Sequence, residues 1–244
     1  MGTKKLNISL AVTAGLMLGL SFPPIPIGIL AAFAFVPFFI LFESIDEYRL
    51  AFRYSYITFF VFNLITLYWT GGFVHGKDSY LMIAGGLLLF AHPVFFCVPI
   101  LGWIFFRRQY GFKLSLLFFP SLWVAYEYLH SLSEIAFPWL TLGNTQTYDL
   151  SIIQFASFTG VYGISFWILW LNVVAYVLYA RMAAKEWRPL SAQSIVCVIG
   201  IFLLYFLPKM YGMIVLNNPP ESRTNTIRIG IVQPNIDPFE KWQQ

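Results

Sequence analysis

The feature that most constrains this chain is a succession of long apolar runs separated by short, charge-bearing loops. Seven stretches, at roughly 6–22, 26–42, 53–72, 80–106, 112–130, 150–180 and 193–212, reach or approach the length needed to cross a bilayer, which is about 20 mostly apolar residues for a helix. Hydrophobic residues make up 59% of the sequence and charged residues 11%, with a mean hydropathy of +0.71, whereas soluble domains carry roughly a quarter charged residues. So few charges cannot cover a water-soluble surface of this size. The sequence therefore predicts an all-α transmembrane bundle of about seven spanning helices.

Alternating the loops between two sides sorts the basic residues. With Lys4 and Lys5 in the cytoplasm, Arg49, Arg53, Arg107, Arg108, Lys113, Arg181, Lys185 and Arg188 fall on the same side, and the opposite side holds Lys77 and Lys209. This is the positive-inside pattern, with the N-terminus cytoplasmic and the C-terminus outside. The net charge of +4 is scattered rather than gathered in a stripe, so it predicts no nucleic-acid partner. The run after Lys5 ends in Phe22-Pro23-Pro24 without a small-x-small cleavage site, so it is an uncleaved span rather than a signal peptide. Cys97 and Cys197 lie in apolar runs and are inert; no metal-ligand spacing and no cofactor motif is present.

After Tyr211 the character changes. Residues 217–225 form a polar, Pro-containing linker, and Thr226 to Gln233 alternates with β-branched residues as an opening strand does. A lone strand cannot bury its faces. The expected organisation is a transmembrane bundle over 1–216, a linker over 217–225, and the start of a truncated extracytoplasmic domain over 226–244.

Local chemistry names no reaction. Glu127 is the most informative charge, lying in the fifth span with His130 three residues on; it either lines a substrate cavity or forms a helix-end pair near the headgroups. The loop from Ser131 to Leu150 lacks Lys and Arg and carries Phe137-Pro138-Trp139-Leu140, which fits either a re-entrant element or an aromatic anchor. His75 with Lys77 and Asp78 suits a solvated outer loop, and His92-Pro93 a helix kink with a satisfied imidazole. Asn63 and Asn172 are expected to make interhelical hydrogen bonds, and Gly160, Gly163 and Ser165 to allow close helix approach.

Taken in order, several segments resemble the bacterial apolipoprotein N-acyltransferases. They are Ser21-Phe22-Pro23-Pro24, Trp123 with Glu127, Phe137-Pro138-Trp139-Leu140 with Gly143 and Gln146, and Gly160 to Phe166 leading to Asn172. Ile231-Val232-Gln233-Pro234-Asn235-Ile236 with Lys241-Trp242 resembles the start of that family's α/β nitrilase-like domain. The resemblance implies transfer of an acyl chain from a phospholipid to the N-terminal diacylglyceryl-cysteine of an apolipoprotein, through a thioester in the bacterial inner membrane, without a cofactor. It also implies that the Glu-Lys-Cys catalytic set lies beyond Gln244, leaving no catalytic residue in this chain, and that Trp242, Trp139 and Glu127 are substrate-binding candidates. His130 and Ser131 depart from the family's usual Arg-Gly, and Ala136 from its usual Gly. A small membrane carrier, or a scaffold recruiting a separate soluble enzyme, are the alternative readings.

Overall fold

The computed structural model describes residues 2–71, 79–218 and 228–233. Helices occupy each of the seven apolar runs, and no strand occurs among the described residues. Helix α1 spans Gly2–Ser21. The second run divides into a 3-10 turn, Gly28–Ala32, and a short α2, Val36–Phe42, with Pro37 in its first turn. That break leaves backbone groups for side chains elsewhere to satisfy. Helix α3 spans Tyr48–Thr66, beginning and ending earlier than the 53–72 predicted.

The fourth and fifth runs form one continuous element, α4, Ser79–Ser131, which bends at Gly111. Gly111 has φ 79°, a left-handed conformation that costs a glycine little. Ring and hydrogen-bond pairs then register across the bend: Trp103 Nε1 donates to the Ser115 carbonyl at 2.9 Å, Phe96 stacks on Trp123, and His92 faces His130. Residues progressively farther before Gly111 meet residues progressively farther after it, so α4 is a helical hairpin of two antiparallel arms. Helix α5, Ala156–Ala183, follows a chain reversal, and α6 spans Ala192–Asn217, longer than the predicted 193–212. Three stretches are long and apolar enough to cross a membrane by themselves: Ser79–Ser131, Ile152–Ala183 and Ala192–Asn217.

The core is aromatic. Phe35, Phe38 and Phe39 are fully buried together with Trp103 and Phe119, and the edge-to-face pairs Phe39–Trp103 and Phe39–Phe119 join α2 to both arms of α4. The outer faces are apolar as well; α6 leaves Val196, Phe202, Leu207 and Ile214 exposed. In lipid this is the expected distribution, because association rests on van der Waals packing and hydrogen bonds rather than on removing apolar area from water.

Asn172, fully buried in α5, stitches the broken second run. Its Oδ1 accepts from the Phe35 amide at 2.8 Å and its Nδ2 donates to the Ala31 carbonyl at 2.7 Å, groups that the interruption between the 3-10 turn and α2 frees. The expected interhelical role of Asn172 is thereby met. Gly160 differs from expectation: nothing lies within 4 Å of where its Cβ would stand, and its φ of 66° marks a kink, so it bends α5 instead of admitting a neighbour.

Contacts sort the loops into two ends. At one end the Arg107 guanidinium donates to the carbonyls of Phe42, Ile45 and Glu43 at the end of α2, and Arg108 lies over the Tyr48 ring. At the other, Trp69 meets Trp139, Gln146 Nε2 donates to the Gly28 carbonyl at 2.8 Å, and Lys209 pairs with Asp149 at 2.7 Å. The first end carries the basic loops, the second the loop with Trp139. Residues 228–233 are exposed and irregular, with no strand ladder; a strand forms only against a partner, and none is present among the described residues.

Candidate functional site

The loop between α4 and α5 turns back into the bundle as a chain of 3-10 turns, Pro138–Leu140, Leu142–Gln146 and Ile152–Phe155. Short turns leave most of their N–H groups without intrahelical partners, and at membrane depth each must find one. Glu127, on the second arm of α4, supplies the first acceptor: its Oε1 takes the Leu142 amide at 2.7 Å and the Trp123 indole N–H at 3.0 Å. Ser165 of α5 supplies the next, its Oγ accepting the Gly143 amide at 2.9 Å. Gln146 reaches back to Gly28, tying the loop to the second run. The loop is thus folded into the bundle while its first turn stays at the surface.

Trp139 stands on that first turn. It is 62% exposed and makes edge contacts with Trp69, at 5.6 Å between ring centroids, and with Phe137, at 5.1 Å. Asn144 holds the turn by donating to the carbonyls of Pro138 and Trp139. The two tryptophans, Phe22, Pro23 and Asn144 border a cavity of about 370 Å³ at the loop end of the bundle. An aromatic, half-polar recess of this kind accommodates an amphiphile at a headgroup boundary.

Asp149 closes the loop. Its Oδ1 accepts from the Ser151 hydroxyl and the Ile152 amide, capping the third turn, and its Oδ2 takes the Lys209 ammonium of α6. Partial burial pushes the Asp149 carboxyl up, but the hydrogen bonds from Lys209, Ser151 and the Ile152 amide outweigh it and hold the pKa below the ordinary 3.8. A depressed carboxylate adds stability that is present above its unfolded-state pKa and is lost as pH falls through the folded value. Protection of the Ile152 amide, relative to its intrinsic exchange rate at the same pH, is therefore expected to be high at neutral pH and to fall below about pH 4, an effect that Asp149→Asn abolishes by removing the titration.

Of the residues singled out in the sequence, Glu127 and His130 border one small cavity, yet Glu127 bonds to Trp123 and the Leu142 amide rather than to His130. Trp139 borders a different recess. Trp242 and the His75, Lys77 and Asp78 loop lie outside the described residues. Cys97 is buried, with its Sγ donating to the Pro93 carbonyl within its own helix. His92 is half satisfied: Asn63 Nδ2 meets its Nδ1 at 3.0 Å, and its Nε2 has no partner. No group of three or more His, Cys, Asp or Glu among the described residues could hold a metal ion. Asn144 and Trp69 emerge as partners of the loop only in the fold, and Ser165, expected as a small packing residue, serves instead as an acceptor for the Gly143 amide.

A bundle of long apolar helices, with one loop folded back into it through a buried carboxylate, defines a membrane-type helical domain. The chain belongs to the apolipoprotein N-acyltransferase family: the sequence model of that family's N-terminal domain matches residues 14–174. Among relatives, the apolipoprotein N-acyltransferases of Chlorobaculum tepidum and Geobacter metallireducens are each 33% identical over 96% of this chain, and that of Rickettsia prowazekii is 26% identical over 94%. The chain spans less than half the length of these relatives, 42%, 44% and 45% respectively. Of the residues quoted for the resemblance, Trp123 bonds to Glu127 and Gly143 to Ser165, while Gln146 reaches the Gly28 carbonyl and Asn172 the Phe35 amide, two partners outside the quoted set.

Proposed function

We propose that this chain is the membrane platform of an apolipoprotein N-acyltransferase, crossing the bacterial inner membrane seven times with its N-terminus cytoplasmic and its C-terminus periplasmic. The observation that carries the reading is the family match together with the sorting of loops, which gathers the Trp139 loop and the end of α6 at the pole without the arginine loops. Residues 1–216 form the bundle, 217–225 a linker and 226–244 the beginning of a nitrilase-like domain on the periplasmic face. The phospholipid acyl donor and the diacylglyceryl-cysteine acceptor are both lipid-anchored, so a catalytic domain serving them must be held against the bilayer surface.

In the proposed reaction a thiolate of the nitrilase-like domain attacks the phospholipid ester carbonyl. Lysophospholipid leaves with the ester oxygen, and the lipoprotein α-amino group then attacks the thioester, releasing the thiolate. A carboxylate serves as base and a lysine steadies the oxyanion. The present chain contributes binding: Trp139 at the recess it shares with Trp69, Glu127 through the loop it anchors, and Trp242 as a further substrate contact.

Binding of a diacylglyceryl lipopeptide to the purified chain in nanodiscs, followed by tryptophan fluorescence, tests this. Trp139→Ala is expected to weaken binding about tenfold, the loss of ~1.4 kcal/mol, with no acyl transfer by either protein. Unchanged affinity removes Trp139 from the site, and turnover by the chain alone contradicts the assignment of chemistry to a further domain.

A further inference from the structure

Six buried side-chain polar atoms lack a hydrogen-bond partner among the described residues, and four of them belong to residues bordering one cavity: His92 Nε2, Tyr126 Oη, Glu127 Oε2 and His130 Nε2. His92 and Glu127 are 2% and 6% exposed, so these are deep groups rather than rim groups. The cavity lies between the two arms of α4 beneath Pro138, Leu140 and Thr141, and its volume is about 20 Å³. A void must offer at least about 10–15 Å³ on this measure, and two to four polar partners, to hold one water.

The character of the four groups selects the occupant. The Asn63 amide nitrogen stands 3.0 Å from Nδ1 of His92, and in the tautomer that accepts this bond the ring proton lies on Nε2, so that His92 presents a donor to the cavity. Glu127 Oε2 presents an acceptor, and Tyr126 and His130 can serve either way. An ammonium group donates only and leaves the His92 N–H opposed. A metal ion needs several ligands together, and no such group exists among the described residues. Water donates twice and accepts twice, matching the set.

We infer that this cavity is a hydration site, in which one ordered water bridges Glu127, His92, Tyr126 and His130. It completes the polar seam that begins at Asn63 on α3, crosses both arms of α4 and ends, through the other oxygen of Glu127, at the Leu142 amide of the loop. Three helical stretches and the loop are thereby joined through a group that the sequence does not encode. The site stands independently of the acyl-transfer reading, since it rests on unpaired atoms and not on a substrate.

Proton-detected solid-state NMR on the isotope-labelled 244-residue chain in phosphatidylcholine vesicles tests it. Magnetisation transfer from water to the His92 ring N–H is expected, and it is lost in His92→Phe, which assigns the signal. Tyr126→Phe, which removes one of four partners and little volume, is expected to weaken the transfer while leaving the helical resonances in place. Absence of transfer at His92 in the folded wild-type chain overturns the proposal. A His92 contact that appears only in phosphatidylethanolamine vesicles, with protons of the lipid amine, also overturns it by naming a different occupant.

Discussion

Glu127→Ala is expected to destabilise the bundle by about 3 kcal/mol and to release the loop from Pro138 onward. The carboxylate is nearly inaccessible, and one of its oxygens accepts two buried donors, the Trp123 indole and the Leu142 amide. Removing an acceptor leaves each donor with its full desolvation penalty, ~1–3 kcal/mol apiece. Glu127→Gln keeps an oxygen on the same stem and is expected to cost less than about 1 kcal/mol, in line with the modest worth of a single interhelical hydrogen bond in membranes. Unfolding by steric trapping in bicelles separates the two variants. Hydrogen exchange at Leu142 should rise in the alanine variant and stay low in the glutamine variant; equal loss in both would mean that the charge, and not the acceptor geometry, holds the loop.

Asn172→Leu is expected to match or exceed that loss, at about 3–4 kcal/mol, although it replaces a polar group by an apolar one of similar volume in an apolar core. Leucine strands both the Phe35 N–H and the Ala31 carbonyl, and with no water in the hydrocarbon core neither finds another partner. The Ile168 carbonyl, which also receives Asn172 Nδ2, retains its helical bond and suffers little. The consequence is local as well as global: the junction between the Gly28–Ala32 turn and α2 should lose protection at the Phe35 amide before the remainder of the bundle opens. An Asn172→Leu chain as stable as the wild type would show that the break in the second run is satisfied by other means.

These two residues also mark where sequence reasoning succeeds and where it stops. Apolar length located the α-helices to within about six residues, the start of α2 excepted, because a run of that length without charge has few other fates. It did not reach the 3-10 turns at Pro138–Leu140 and Leu142–Gln146, and among the described residues only three stretches are long and apolar enough to span. The Trp123–Glu127 pair was legible as neighbours one turn apart. The partners that matter more were not. Phe35 and Asn172 are 137 residues apart and Ala31 and Asn172 are 141 apart, and no local pattern links them. An Asn in an apolar run announces that a partner exists without saying which. At Gly160 the sequence suggests close packing and the structure shows a kink, because small residues serve both purposes and only the backbone angle distinguishes them. The apolar pattern predicts a later start for α3 than the structure has, because Tyr48 and Arg49 interrupt it, yet helix geometry tolerates both at an interface.

In the proposed seven-pass platform the Trp139 loop and the end of α6 face the same side of the membrane, opposite the arginine loops. Single-cysteine labelling in a Cys97→Ala, Cys197→Ala background measures this directly. With a membrane-impermeant maleimide on intact spheroplasts, Glu134→Cys and Asn218→Cys are expected to label at once, and Asp46→Cys and Glu186→Cys only after permeabilisation. Labelling of Glu186→Cys from outside, or of Glu134→Cys and Asn218→Cys from opposite sides, would contradict the seven-pass platform.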